Sequence, residues 1–185
     1  NDPQSLECLE KTTEFLNTFL KADNEGWVEG IPKHLPRRQN PHMHLFEAFL
    51  AAYEATLDHQ FMKLADDIFS MFESKFFDKN TLTLLEFFDN DWRPDTKTGH
   101  LTEPGHMMEW CWLIHWYSRL SGKNVTGYAE SLYQTGVKIG INNVNGLIIN
   151  KVHIQGKITN TSSRLWPKTE YIKANIARAE AGLLG

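Results

Sequence analysis

Cysteine is scarce. Cys8 and Cys111 are the only two in 185 residues, which leaves no basis for a disulfide framework or a cysteine-rich metal site and points to a reducing cytoplasm. Long hydrophobic runs are also missing. None approaches the roughly 20 apolar residues of a membrane-spanning helix, so no membrane partner is expected. Positive charge is neither abundant nor clustered. The 19 Lys and Arg against 23 Asp and Glu give a net charge of -4, and the absence of a long basic patch argues against a nucleic-acid partner. Neither a glycine-rich phosphate loop nor a nucleophile elbow occurs. The opening Asn1-Asp2-Pro3-Gln4-Ser5 is polar and reads as no signal peptide.

What is present is an ordinary globular composition, 41% hydrophobic and 23% charged, in a length that suits one domain. The six Trp and eleven Phe suit a large core or surfaces that stack on sugars or bases. Apolar residues at helical spacing predict helices over 5–22, 41–57, 58–76, 102–120 and 124–139, and a last one from Pro167 to about Ala181. Asn40 is the N-cap candidate for the second, with Pro41 at its first position. Very short breaks after 57 and at Ser121-Gly122-Lys123 imply antiparallel pairs. The stretch 80–100 reads as irregular, with a possible strand over Leu82 to Phe88. Leu147-Ile148-Ile149 and Val152-His153-Ile154, punctuated by Gly146 and Gly156, read as a β-hairpin or extended loop. Paired helices at regular spacing predict an all-α toroid of antiparallel helical hairpins, about three of them in this chain, as one partial domain over 1–185.

Glu103-Pro104-Gly105-His106-Met107-Met108-Glu109-Trp110 combines helix-start chemistry with an imidazole and a carboxylate three residues apart. Positions i and i+3 share a helix face, and histidine titrates closest to neutrality, which suits proton abstraction and return. Two readings stand: an acid/base histidine with Glu109 as its partner, or a capping histidine in a structural network. Asn40-Pro41-His42-Met43-His44 opens another helix, with His44 and Glu47 again at i and i+3. His42 and His44 point about 200° apart on a helix, so they do not share a metal there, and His44 is the one expected to face the site. Arg164-Leu165-Trp166-Pro167 marks a third helix start, where an Arg and a Trp either bind a polyhydroxylated ring or staple the helix to the core.

Taken together, Asn40-Pro41-His42-Met43-His44-Leu45-Phe46-Glu47-Ala48, Glu103 to Trp110 and Arg164 to Glu170 resemble the N-acylglucosamine 2-epimerase superfamily, most closely its sugar-isomerase members of the mannose or mannose-6-phosphate isomerase type. The chain resembles an internal part of the family's longer protein. The resemblance implies an (α/α) barrel with the sugar site where the inner helices start. It also implies proton transfer at C2 of an opened aldose, without metal or cofactor. His106 becomes the catalytic acid/base, Glu109 its partner, and His44 a catalytic position near the ring oxygen and O1. Arg38, Asn40, Glu47, Glu103, Trp110, Arg164 and Trp166 become substrate-binding or lining residues. Leu165 stands where several members carry a second histidine, which favours one-base aldose–ketose isomerisation of mannose-type sugars over epimerisation. The rival reading is a catalytically silent carbohydrate-binding toroid. A glycosidase, which needs paired carboxylates across a cleft, fits the histidine-centred motifs poorly. The apolar Leu6, Leu9, Leu16 and Leu20 at one end, and Ile172, Ile176, Leu183 and Leu184 at the other, predict a homo-oligomer that covers both end faces.

Overall fold

Proline needs no partner for the N–H it lacks in a first helical turn, and four of the six helices among the described residues open on one. The computed structural model describes residues 2–183. Helix α1 (Pro3–Phe15) runs on as a π-helical turn over Leu16–Leu20. It is followed by α2 (Asn40–Thr56) and α3 (His59–Met71), the latter extended by a π-helical turn over Phe72–Phe76. Next come α4 (Pro104–Ser121), α5 (Thr126–Gly140) and α6 (Trp166–Glu180). Asn40 is not the cap of α2. Gln39 holds that position, and Asn40 lies in the first turn with its side chain free for other work.

Two residues link α2 to α3. Leu57 turns left-handed at φ 58°, and the Asp58 carboxylate caps α3 by accepting from the Gln60 N–H at 2.9 Å. Gly122, at φ 72°, makes the left-handed stop that ends α4. Helix α4 is the axis of the molecule. Its buried residues run almost without a break from Pro104 to Tyr117, because α2, α5 and α6 all pack on it. Trp110 sits at the centre, stacked on Phe72 at 4.5 Å and on Phe46 at 5.3 Å between ring centroids. Asn40 contacts His106, and Trp166 lies on His106, so the starts of α2, α4 and α6 share one end of an open array.

Short strands tie that end together: β1 (Arg37–Arg38), β2 (Phe77–Asp78), β3 (Thr83–Leu84), β4 (Phe87–Phe88), β5 (Leu101–Thr102), β6 (Lys151–His153) and β7 (Ile158–Asn160). Strand β1 pairs antiparallel with β4 (Arg37 opposite Phe88), β2 with β3, and β6 lies between β5 and β7. The predicted hairpin is therefore shifted. Ile148 and Ile149 are buried instead of forming a strand, and the turn falls at Gly156, at φ 85°, whose N–H bonds the His153 carbonyl. The first-helix leucines are also corrected. Leu9, Leu16 and Leu20 pack partly onto the core, and the side chains left outside are Phe15 and Phe19. On α6, Ile172 and Ile176 are exposed. Leu184 lies outside the described residues.

His42 belongs to the core. Its Nε2 accepts the Trp27 N–H at 3.0 Å, and burial pushes its pKa from 6.5 down to about 3. An unfolded chain takes up that proton first, so the neutral imidazole contributes stability that is present above pH 6.5 and lost as pH falls toward 3. Urea midpoints are expected to drop by the equivalent of about 2 kcal/mol between pH 7 and 5 from this residue, with that share of the slope gone in His42→Gln. Phe46→Ala, which empties a site of zero exposure, is expected to cost about 3–5 kcal/mol in the same measurement.

Candidate active site

A cavity of about 400 Å³ opens at the end where α2, α4 and α6 begin, lined by Arg38, Asn40, His44, Glu86, Phe87, Glu103, His106, Glu109, Arg164, Trp166 and Glu170. That volume lies within the range of small-molecule sites. Three local devices build it. Pairing of β1 with β4 brings Gln39 beside Glu86, with the Gln39 N–H bonding the Glu86 carbonyl at 3.2 Å. Asn150, just before strand β6, holds the chain that leads into α6: Asn150 N–H donates to the Ser162 carbonyl at 2.8 Å, and Arg164 N–H donates to Asn150 Oδ1 at 3.0 Å. Gly105 provides the third device. A Cβ there would lie 2.7 Å from the Trp166 ring and 2.8 Å from Pro167, so only glycine lets Trp166 lie over His106, ring centroids 4.9 Å apart.

The chemistry centres on a fixed imidazole. The Trp110 indole N–H donates to Gln39 Oε1 at 2.7 Å, which turns the amide so that Gln39 Nε2 donates to Glu86 Oε2 at 2.8 Å. His106 Nδ1 lies 3.0 Å from the same Glu86 oxygen, and Glu86 Oε1 accepts the Glu103 N–H at 3.1 Å. A carboxylate accepts only, so neutral His106 carries its proton on Nδ1, and Nε2, 3.1 Å from the Asn40 amide nitrogen, presents its lone pair at the cavity. Burial works against the charged imidazole. The charge and hydrogen bond of Glu86, helped by Glu103 and Glu109, outweigh it and raise the His106 pKa to about 8.

Glu109 faces the other way. It stands 3.5 Å from His44 Nδ1, and Glu47 is 3.7 Å from the same nitrogen. Burial, then the charge of Glu170, raises the Glu109 pKa to about 7 despite His106 and Lys173. Glu103 is held by Lys151 at 3.3 Å and Arg164 at 3.5 Å.

The structure brings His44, His106, Glu109, Glu103, Arg38, Asn40, Arg164 and Trp166 to one cavity and corrects four expectations. Glu109 is not the partner that orients His106; Glu86 is. Trp110 does not line the cavity. It has zero exposure, because it continues α4 into the aromatic core, and it acts through Gln39. Glu47 sits beside His44 instead of in the lining. Leu165 is 76% exposed and outside the lining, so its identity says nothing about a second base. Glu86 and Glu170 went unread. The signal for Glu86 was a lone carboxylate inside the apolar run Leu84-Leu85-Glu86-Phe87-Phe88, since an interior charge is kept only when it is paired.

Parallel helix starts around a histidine–carboxylate cavity define an (α/α) toroid protein with a polar site at the N-terminal ends of its inner helices. The chain belongs to the N-acylglucosamine 2-epimerase (GlcNAc 2-epimerase) family, whose model matches residues 1–182. It is 37% identical over 165 residues to a mannose-6-phosphate isomerase of Rhizobium meliloti, covering 87% of this chain and 43% of that protein. It is 30% identical over 113 residues to a cellobiose 2-epimerase of Bacteroides fragilis, covering 57% of this chain and 28% of that protein. The chain thus spans less than half the length of these relatives. Among solved structures, a D-mannose isomerase superposes with TM-score 0.82 at 20% identity, covering 96% of this chain and 48% of that one. A cellobiose 2-epimerase from Bacillus thermoamylovorans gives 0.81 at 22%, covering 97% and 51%. Both share the fold.

Gly105→Ala is expected to lift Trp166 off His106 and to cost about 1–3 kcal/mol through overpacking. Loss of the upfield ring-current shift on the His106 ring protons checks it, and an unchanged spectrum contradicts the stacking role.

Proposed function

We propose that this chain carries the proton-transfer centre of a sugar isomerase or 2-epimerase that acts at C2 of an opened aldose. The observation that carries the reading is the fixed His106 tautomer, with Nδ1–H on Glu86 and the Nε2 lone pair, in contact with the Asn40 amide, turned toward the cavity. In this reading Nε2 takes the C2 proton, leaving an enediolate. Return of the proton to C1 gives the ketose, and delivery to the other face of C2 gives the epimer. His44 and the Glu109 carboxyl, half-protonated near neutrality, hydrogen-bond the ring oxygen and O1 during opening. Trp166 and Arg164 bound the sugar, with Arg38, Asn40 and Glu103 supplying polar contacts. With Leu165 outside the cavity, isomerisation and epimerisation stay equal readings.

The charge of the lining supports a neutral sugar. Glu86, Glu103, Glu109 and Glu170 face it, whereas Arg38 is paired with Glu29 and Arg164 with Glu103. The family relationship supports one (α/α) toroid domain whose further hairpins lie outside this chain. The free thiols of Cys8 and Cys111 suit a reducing cytoplasm, and no helix among the described residues is long and apolar enough to cross a membrane. Exposed Phe15, Phe19, Ile172 and Ile176 support self-association. Sedimentation as a strict monomer at high micromolar concentration counts against it.

The test is exchange of the C2 hydrogen of mannose and glucose for solvent deuterium. His106→Gln is expected to slow it about 10²–10⁴-fold, His153→Ala to leave it unchanged, and mannose to react better than mannose-6-phosphate. Exchange at full rate in His106→Gln removes the histidine from the mechanism. Sugar binding without exchange in the unaltered protein would instead favour a silent binder. The base must be neutral, so kcat/KM is expected to rise with pH through about 8, the His106 value. In Glu86→Gln that limb is expected to move to lower pH.

A further inference from the structure

A second cavity, of about 450 Å³, is walled by the chain between α1 and α2 together with Asn90 and Asp91. Arg38 is the one residue its lining shares with the His106 cavity. Two of its lining residues are deeply buried, Arg37 at 7% exposure and Trp27 at 2%. The Arg37 guanidinium lies 3.6 Å over the Trp92 ring. Its Nη1 donates to Asn24 Oδ1 at 2.8 Å and its Nη2 to the Glu25 carbonyl at 2.8 Å. Both acceptors are neutral. Arg37 Nε and the Trp27 indole N–H are buried and donate to nothing among the described residues. A buried donor without an acceptor is destabilising, and each such group calls for an explanation.

The charges of this lining point the same way. Asp23 holds Lys33 at 3.0 Å, Glu29 holds Arg38, and Asp91 holds Arg93 at 3.4 Å. Among the Lys, Arg, Asp and Glu side chains of the lining, only Arg37 forms no ion pair with the described residues. Burial, opposed by the more distant charges of Glu25 and Glu29, holds its pKa below the usual guanidinium value, and the group stays charged. A buried charge is kept where it can be paired, so the ligand that suits this cavity is an anion. One unpaired cation and two single N–H donors match the one charge and two oxygens of a carboxylate. A phosphate brings nearly two charges and three acceptor oxygens. We propose that Arg37 and Trp27 form a binding site for a small carboxylic acid, separate from the sugar site. Val28 and Leu35 in the same lining suit its carbon skeleton.

Acetate is titrated into nitrogen-15-labelled protein at constant ionic strength, with chloride as the control. The expected result is a saturable downfield shift of the Trp27 indole N–H with acetate and none with chloride. Affinity, read also from the rise of Tm with acetate, is expected to fall about tenfold or more in Arg37→Gln. Arg37 also ties the loop to Asn24 and Glu25, so a second variant is needed that leaves those bonds in place. Trp27→Phe keeps an aromatic ring in the core and removes the indole N–H, and its acetate affinity is expected to fall about fivefold. Circular dichroism verifies the fold of both. His106→Gln is expected to leave acetate binding unchanged. No saturable shift, or an equal shift with chloride, overturns the proposal. So does full acetate affinity in Trp27→Phe, and tighter binding of inorganic phosphate than of acetate overturns the choice of a carboxylate. The measurement uses neither sugar nor turnover, so it stands or falls apart from the proposed function.

Discussion

A buried carboxylate is costly unless every lone pair is engaged, and Glu86, 2% exposed, is the group that the polar end of this molecule is arranged around. Its oxygens are held by the Glu103 N–H, the Gln39 amide and His106 Nδ1. Those partners come from the starts of α2 and α4, and β1 paired with β4 delivers Glu86 between them. The register of the two helices and the tautomer of the histidine are therefore solved by one set of hydrogen bonds. Trp110 extends the network downward: its ring stacks in the aromatic core while its N–H fixes the Gln39 amide. Packing energy in the core thus stiffens the imidazole above it.

Much of this was legible in the sequence. Helical periodicity and proline starts located all six helices to within a few residues, because α2 to α6 bury faces at regular spacing. Of the two histidines in Asn40-Pro41-His42-Met43-His44, periodicity separated the one facing the cavity from the one in the core. Local patterns failed where a contact is long in sequence. Glu86 meets His106 across 20 residues and Gln39 across 47, and no i, i+3 rule reaches that far. Glu109 satisfied the spacing rule for His106. Yet it pairs with His44, 3.5 Å away, because α2 packs against that flank of α4. Trp110 was read as a lining residue from its neighbourhood in sequence, although the following turn of α4 is already in the core. Leu165 was weighed as part of the cavity, but the chain turns it outward before α6 begins.

The same end of the molecule holds two distinct electrostatic groups. Around His106 every acceptor has a donor, so the imidazole is held as a base of raised pKa with little freedom to move. Around His44 the carboxylates outnumber the donors, and Glu109 is kept near half-protonation by burial and by Glu170. A closed network beside an open one separates a fixed proton acceptor from groups free to change partner as a ligand enters.

The central claim is that Glu86 fixes His106 as the Nδ1–H tautomer and raises its affinity for a proton. Nitrogen-15 chemical shifts of the His106 ring, followed through a pH titration in the unaltered protein and in Glu86→Gln, test it most directly. The account predicts a protonated Nδ1 in the neutral ring and a pKa near 8 that falls when the Glu86 charge is removed. A neutral ring protonated on Nε2, or a titration indifferent to Glu86→Gln, would contradict it.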